Sequence, residues 1–152
     1  MIKKNMKKLV LALSFAFAAT AVAPTISEAA SYHTKAISVA KSNLGVKYRW
    51  GGISTNGFDC SGLVKYSYGK AGKTLPRTAA QMYKTGTKVN SMSSLVPGDL
   101  MFFAPSKASA PTHVAIYLGG GKMIQSASSK GVSISTTTNT YWKPKYIGAK
   151  RL

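Results

Sequence analysis

The sequence has little of what metal centres and crosslinked folds are built from: one cysteine, two histidines and three acidic residues among 152. A lone Cys60 excludes an intramolecular disulfide framework, and so few His and carboxylate side chains leave no confident ligand set for zinc or calcium. No segment has the full spacing of a Walker phosphate loop, so the commonest nucleotide-binding signal is missing too. Neither a fixed-period repeat nor a Pro-rich or Gly/Ser-rich linker divides the chain. What remains is metal-free, cofactor-free chemistry, or simple binding, on one domain whose 45% hydrophobic content suffices for a core.

What is abundant is positive charge: 21 Lys and Arg give a formal net charge of +18. Four of these bases, Lys3, Lys4, Lys7 and Lys8, precede an apolar run from Leu9 to Ala23 and a small-residue stretch, Ser27-Glu28-Ala29. This is the layout of a secretory signal peptide. The run of 15 residues falls short of the ~20 that span a membrane, so no stable membrane anchor is expected. Cleavage is expected after Ala29, since a cut after Ala23 would leave Pro24 next to it. No Cys lies nearby to carry a lipid. Residues 30–152 would then form one secreted domain of 123 residues with net charge +15, a monomer by default. Such a charge favours polyanions, and outside a cell these are anionic wall polymers rather than nucleic acid.

The periodicity predicts a helix over 31–44, with Ile37, Ala40 and Leu44 on one face and Gly45 as its stop. Two glycines, Gly51 and Gly52, break the pattern, and a polar loop runs to Phe58. A second helix fits Asp59 to Tyr68, with Asp59 as N-cap and Leu63, Val64, Ser67 and Tyr68 on its buried face. A short helix is expected over Arg77 to Lys84, a loop over 85–95 and a turn at Val96-Pro97-Gly98-Asp99. Short β-type runs follow at Leu100–Phe103, His113–Leu118, Lys122–Ala127, Gly131–Ser135 and Tyr146–Ala149. Helices first and strands after indicate an α+β domain with helices packed on an antiparallel sheet.

The chemistry centres on Phe58-Asp59-Cys60-Ser61-Gly62-Leu63, which puts the only thiol in the first turn of a helix. There the free backbone N–H groups and the helix dipole favour the thiolate, the nucleophile of cysteine hydrolases. The alternative is a buried, inert Cys. A base must be His33 or His113. His33 falls close to the expected mature N-terminus, where a solvated side chain is the simpler reading. His113 opens an alternating strand and shares a face with Ala115 and Tyr117. If Gly119-Gly120-Gly121 is a three-residue hairpin loop, Leu118 pairs with Lys122, Ala115 with Gln125 and His113 with Ala127. Gln125 then lies diagonal to His113, within reach of its Nδ1–H, leaving Nε2 for the thiol. A two-residue loop would reverse the parity. Tyr48 and Trp50 would line a cleft or fill the core. Arg77 would bind a substrate carboxylate or be solvated. Tyr141 and Trp142 read as packing residues.

Taken together, Tyr48-x-Trp50-Gly51-Gly52, Asp59-Cys60-Ser61-Gly62-Leu63, Leu75-Pro76-Arg77-Thr78, Pro97-Gly98-Asp99-Leu100 and His113-Val114-Ala115-Ile116-Tyr117 resemble the NlpC-type cell-wall cysteine endopeptidases. The resemblance runs from about residue 34 to 151. It implies a papain-like α+β fold and cysteine peptidase activity, with hydrolysis of the bond between γ-D-glutamate and a diamino acid in peptidoglycan stem peptides. By position, Cys60 would be the nucleophile, His113 the general base and then acid, and Gln125 the polar third residue, where many relatives have His. Tyr48 would border the oxyanion region with the Cys60 N–H, and Asp59, Ser61 and Arg77 would help hold the stem peptide. The same site would also serve poly-γ-glutamate hydrolysis or a related amidase reaction, and a degenerate site would leave a cationic wall-binding protein.

Overall fold

The computed structural model describes residues 26–152, together with Ala16 and Ala18. Helix α1 (Ile26–Ser42) leads to a small hairpin of β1 (Ile53–Ser54) and β2 (Gly57–Phe58), then to α2 (Cys60–Lys70) and a single turn, α3 (Ala79–Met82). The strands β3 (Thr87–Val89), β4 (Leu100–Phe103), β5 (His113–Gly119), β6 (Lys122–Ala127), β7 (Gly131–Thr136) and β8 (Tyr146–Arg151) follow. They form one antiparallel sheet in the order β3-β8-β4-β5-β6-β7. This is the α+β arrangement expected, with helices packed on the sheet.

Alternation along the strands divides the core. Leu100, Phe102, Val114, Ile116 and Ile124 face the helices, where Leu63, Val64 and Tyr68 of α2 meet them. Met101, Phe103, Ala115, Met123 and Ala149 face the other way, under Leu95, Met92, Trp142 and Tyr146. All four residues of β4 are buried, as a strand covered on both faces requires.

Several expectations need correction. The first helix begins at Ile26 rather than at 31, and the apolar segment of the expected leader lies, but for Ala16 and Ala18, outside the described residues. The first helix ends at Ser42, so Leu44 falls past it and is exposed, while Ala36 and Ala40 make the buried contact. The loop to Phe58 contains the β1–β2 hairpin, and the loop 85–95 contains the edge strand β3, which pairs with β8. The helix expected over 77–84 shortens to α3, whose capping box joins Thr78 to Gln81.

His33 is half-buried rather than solvated. Its Nδ1 lies 2.8 Å from the Tyr68 hydroxyl, which donates its own proton to Gly98 O, so the ring must donate at Nδ1. Burial lowers its pKa, against the pull of Asp99. The Val96–Asp99 turn forms as expected, and Asp99 is fully buried: its carboxylate accepts the Val96 N–H at 2.8 Å and two hydrogen bonds from Arg151, each 2.8 Å.

Candidate active site

Asp59 organises the start of α2. Its Oδ1 accepts the Gly62 N–H at 2.7 Å, as an N-cap does, and the first backbone bond of the helix runs from Leu63 N–H to Asp59 O. The N–H groups of Cys60 and Ser61 thus have no carbonyl partner within the helix. The double glycine allows the Tyr48–Gly52 segment to press onto this end. A Cβ on Gly62 would fall 1.9 Å from Gly52 O, and one on Gly52 would fall 2.2 Å from Gly57 O.

Asp59 is cap and ion-pair partner at once. Arg77 donates to Oδ2 at 2.7 Å, to Oδ1 at 3.1 Å and to the Ser61 hydroxyl at 2.9 Å, so its guanidinium is tied in place although the side chain is 35% exposed. Burial works against the Asp59 carboxylate, but the hydrogen bonds from Arg77, the Gly62 N–H and Ser61 outweigh it and hold the carboxyl below its ordinary range.

The Cys60 thiol points toward Thr112 O at 3.8 Å and receives the Val114 N–H, so it touches both chain neighbours of His113. Burial pushes the thiol pKa up and the Asp59 charge adds to this, against the backbone N–H groups of Val114, Ser61 and Cys60. The expectation of a thiol acidified by its helix position is thereby reversed: desolvation outweighs the helix terminus.

His113 and Gln125 meet as the strand argument requires, through different details. Ile116 pairs with Ile124 and Tyr117 with Met123, the register expected, but the closing pair is Gly119 with Lys122. The tip is therefore two residues, Gly120 and Gly121, both with positive φ, and a bulge at Leu118 restores the parity such a tip alone would reverse. Gln125 Oε1 lies 2.7 Å from His113 Nε2, and Gln125 Nε2 donates to Ser135 Oγ at 3.1 Å. The expected ring nitrogens are exchanged: Nε2 faces the amide, and Nδ1 is the nitrogen left for chemistry.

Trp142, read from sequence as a packing residue, lies flat on the His113 ring, with centroids 4.1 Å apart and an interplanar angle of 17°. No local signal in the sequence could have placed it there. Tyr141 beside it is exposed rather than packed.

Burial lowers the His113 pKa to about 4, the hydrogen bond with Gln125 opposing. The folded ring is neutral where the unfolded one, near ~6.5, already binds a proton. Stability should therefore decline as pH falls from about 6.5 to 4 and level off below, by up to roughly 3 kcal/mol from this residue. Urea denaturation of the wild type and His113→Phe across that range checks this. Equal pH slopes in the two proteins would refute it.

Cys60, Tyr48 and Thr112 stand where two hollows meet. The larger, about 450 Å³, is lined by His113, Gln125, Trp142 and the β6–β7 turn. The smaller, about 200 Å³, is lined by Asp59, Ser61, Thr78 and Trp50. Trp50 is 87% exposed, a rim residue and not a core one. Burial raises the Tyr48 phenol pKa, so this hydroxyl keeps its proton at the junction. The expected site residues are thus gathered around one cleft; Arg77 reaches it through Asp59 and Ser61.

Comparison with known proteins agrees with this architecture. Residues 45–151 match the NlpC/P60 family. The gamma-DL-glutamyl hydrolase of Bacillus subtilis is 43% identical over 131 residues, covering 84% of this chain and 32% of that protein. The murein DD-endopeptidase MepH of Escherichia coli is 41% identical over 126 residues, covering 78% of this chain and 46% of that protein. This chain therefore spans less than half the length of either. The solved structure of the peptidoglycan hydrolase RipB from Mycobacterium tuberculosis superposes with a TM-score of 0.70 at 32% identity, covering 84% of this chain and 68% of that one. A helix start bearing a cysteine against a strand bearing a histidine, the order of the motifs and these likenesses lead to one assignment: the chain belongs to the NlpC/P60 family.

Proposed function

We propose that the protein is a secreted, wall-associated cysteine peptidase that cleaves the bond between γ-D-glutamate and the diamino acid of peptidoglycan stem peptides. The observation that carries this is the His113–Gln125 hydrogen bond beside a thiol seated on free helix N–H groups. Its kinship with a murein endopeptidase and a peptidoglycan hydrolase supports the wall as substrate. The leader over residues 1–29 and the single peptidase domain after it belong to the same reading, and no helix among the described residues is long and apolar enough to cross a membrane.

Burial raises the pKa of the thiol and lowers that of the imidazole, so proton transfer from Cys60 to His113 accompanies attack. His113 Nδ1 takes the Cys60 proton as Sγ bonds to the γ-carbonyl carbon, and the Cys60 N–H with Tyr48 stabilises the oxyanion. Collapse expels the diamino acid's nitrogen, which takes the proton from His113 and leaves a thioester. Water then gives His113 a proton, adds to the thioester and releases the glutamate carboxyl, restoring the thiol. The indole face of Trp142 favours the imidazolium that forms twice in this cycle. Asp59, Ser61 and Arg77 position the acyl half of the stem peptide.

The test is mass spectrometry of fragments released from purified peptidoglycan, in which new ends at D-glutamate and the diamino acid are expected. A second reading, hydrolysis of poly-γ-glutamate, is favoured by the 43% identity to a gamma-DL-glutamyl hydrolase. Release from that polymer and not from peptidoglycan would establish it.

Among the described residues the two ion pairs are both made by arginines, Arg77 with Asp59 and Arg151 with Asp99, and no Lys is paired with a carboxylate. The charge of these lysines holds the enzyme on anionic wall polymers. Retention on wall sacculi should fall steeply as salt is raised, and retention at molar salt would disprove it.

A further inference from the structure

Two cations at the end of the sheet stand against each other. Where the edge strand β3 pairs with β8, Lys88 is directly opposite Lys150, between the pairs Thr87–Arg151 and Val89–Ala149. Side chains so placed have Cβ atoms about 5 Å apart, and like charges there oppose the pairing of the strands. Lys150 also pairs with Leu100, which faces the helices, so alternation turns Lys88 and Lys150 to the helix side and Arg151 to the other.

Aromatic faces place these cations without neutralising them. Lys150 Nζ lies 5.0 Å from the centre of the Tyr83 ring, and Tyr83 is held in turn by Ile147 O, which accepts its hydroxyl at 3.4 Å, and by edge contact with Phe102. Past the end of β8 comes a further ammonium: Lys73 Nζ lies 5.5 Å from the centre of the Tyr32 ring, whose hydroxyl donates to Leu152 O. The two aspartates are taken up by Arg77 and Arg151, and among the described residues none of these three lysines makes an ion pair.

The patch is separate from the cleft. None of Lys73, Tyr83, Lys88 and Lys150 lines either hollow, and Leu100, the partner of Lys150, is three residues from Phe103, the partner of His113. The lysine pair thus lies about 10 Å along the strands from His113 and two to three strands across the sheet. A ligand there leaves the reacting groups untouched.

An anion between Lys88 and Lys150 would turn their repulsion into attraction. A phosphodiester suits the place: its two free oxygens diverge, one toward each ammonium, and lysine binds phosphate as a point charge. Resting on the wall-associated reading above, we propose that the Lys88–Lys150 edge, continued by Lys73, is a docking site for a wall polymer of phosphodiester-linked units. Retention on the wall is then localised at this edge and not spread over the whole basic surface.

The probe is soluble poly(glycerol phosphate), titrated into the protein by calorimetry over a range of salt. Lys88→Gln with Lys150→Gln should weaken binding by about tenfold and flatten the dependence of log Kd on log salt by roughly 1.4, the share of two phosphate contacts on a flexible chain. Lys41→Gln with Lys107→Gln removes the same charge from exposed positions elsewhere and should weaken binding less than about twofold. Without polymer, the urea midpoint of the first pair of substitutions should rise, because the repulsion is gone; a fall would overturn the like-charge argument on which the site stands. Equal weakening by both pairs would overturn the site and leave the general charge reading in place. Poly-γ-glutamate bound as tightly, with the same sensitivity to Lys88 and Lys150, would overturn the phosphodiester as ligand. No binding of poly(glycerol phosphate) by the wild type would overturn the site and the charge reading together.

Discussion

Purified Cys60→Ala will release no stem-peptide fragments from peptidoglycan, a loss of at least about 10⁴-fold, because no other group in the cleft can form the thioester. The protein will remain folded: alanine is the best helix former, the Asp59 cap is untouched and only one sulfur atom leaves a position 9% exposed. His113→Ala should be nearly as inactive. Gln125→Ala removes the acceptor that fixes the His113 tautomer but not the proton carrier, so kcat should fall by about 10- to 100-fold with measurable activity left. Turnover in Cys60→Ala equal to wild type would refute the mechanism. Turnover in Gln125→Ala as low as in His113→Ala would mean that the amide does more than orient the ring.

The second large effect concerns folding. Asp99 is fully buried and held by two Arg151 hydrogen bonds and the Val96 N–H, whereas the Arg151 side chain is 42% exposed. Arg151→Met keeps the aliphatic stem and strands the carboxylate with a single backbone donor. Removing one partner of a buried pair costs ~3–5 kcal/mol, and the exposure of Arg151 brings the expected loss to about 2–4 kcal/mol. Urea denaturation should show it as a lower midpoint with an unchanged slope. Asp99→Asn combined with Arg151→Met should recover part of the loss, since the buried charge is then gone. A midpoint for Arg151→Met within error of wild type would show that Asp99 does not need its partner.

What was legible in the sequence was local. Asp59 three residues ahead of Gly62, and strict alternation from His113 to Leu118, specify the helix cap and the strand face without reference to the rest of the chain. The parity of Gln125 also emerged correctly, though through a bulge and a two-glycine tip in place of the three-residue loop. What was not legible depends on distant contacts. The bond between His33 and Tyr68 spans 35 residues, and the stack of Trp142 on His113 spans 29; nothing near either residue announces it. The thiol's raised pKa comes from burial, a property of the assembled layers, whereas the helix terminus that argues for the opposite direction can be read from a few residues. Which imidazole nitrogen meets Gln125 depends on how the ring is turned, and pairing register alone does not fix that.

The reacting groups are divided between layers: Cys60 rides on α2, while His113 and Gln125 ride on adjacent strands of one hairpin. The base and its orienter therefore move as one body, and the nucleophile as another. A relative shift of helix and sheet would leave the His113–Gln125 bond intact while lengthening together the distances from the sulfur to His113, Thr112 O and the Val114 N–H. Reactivity can then rise and fall with the compliance of a single interlayer seam, without any side chain changing rotamer. Core substitutions along that seam, at Leu63, Val64 or Val114, become a means of tuning rate from beneath the cleft.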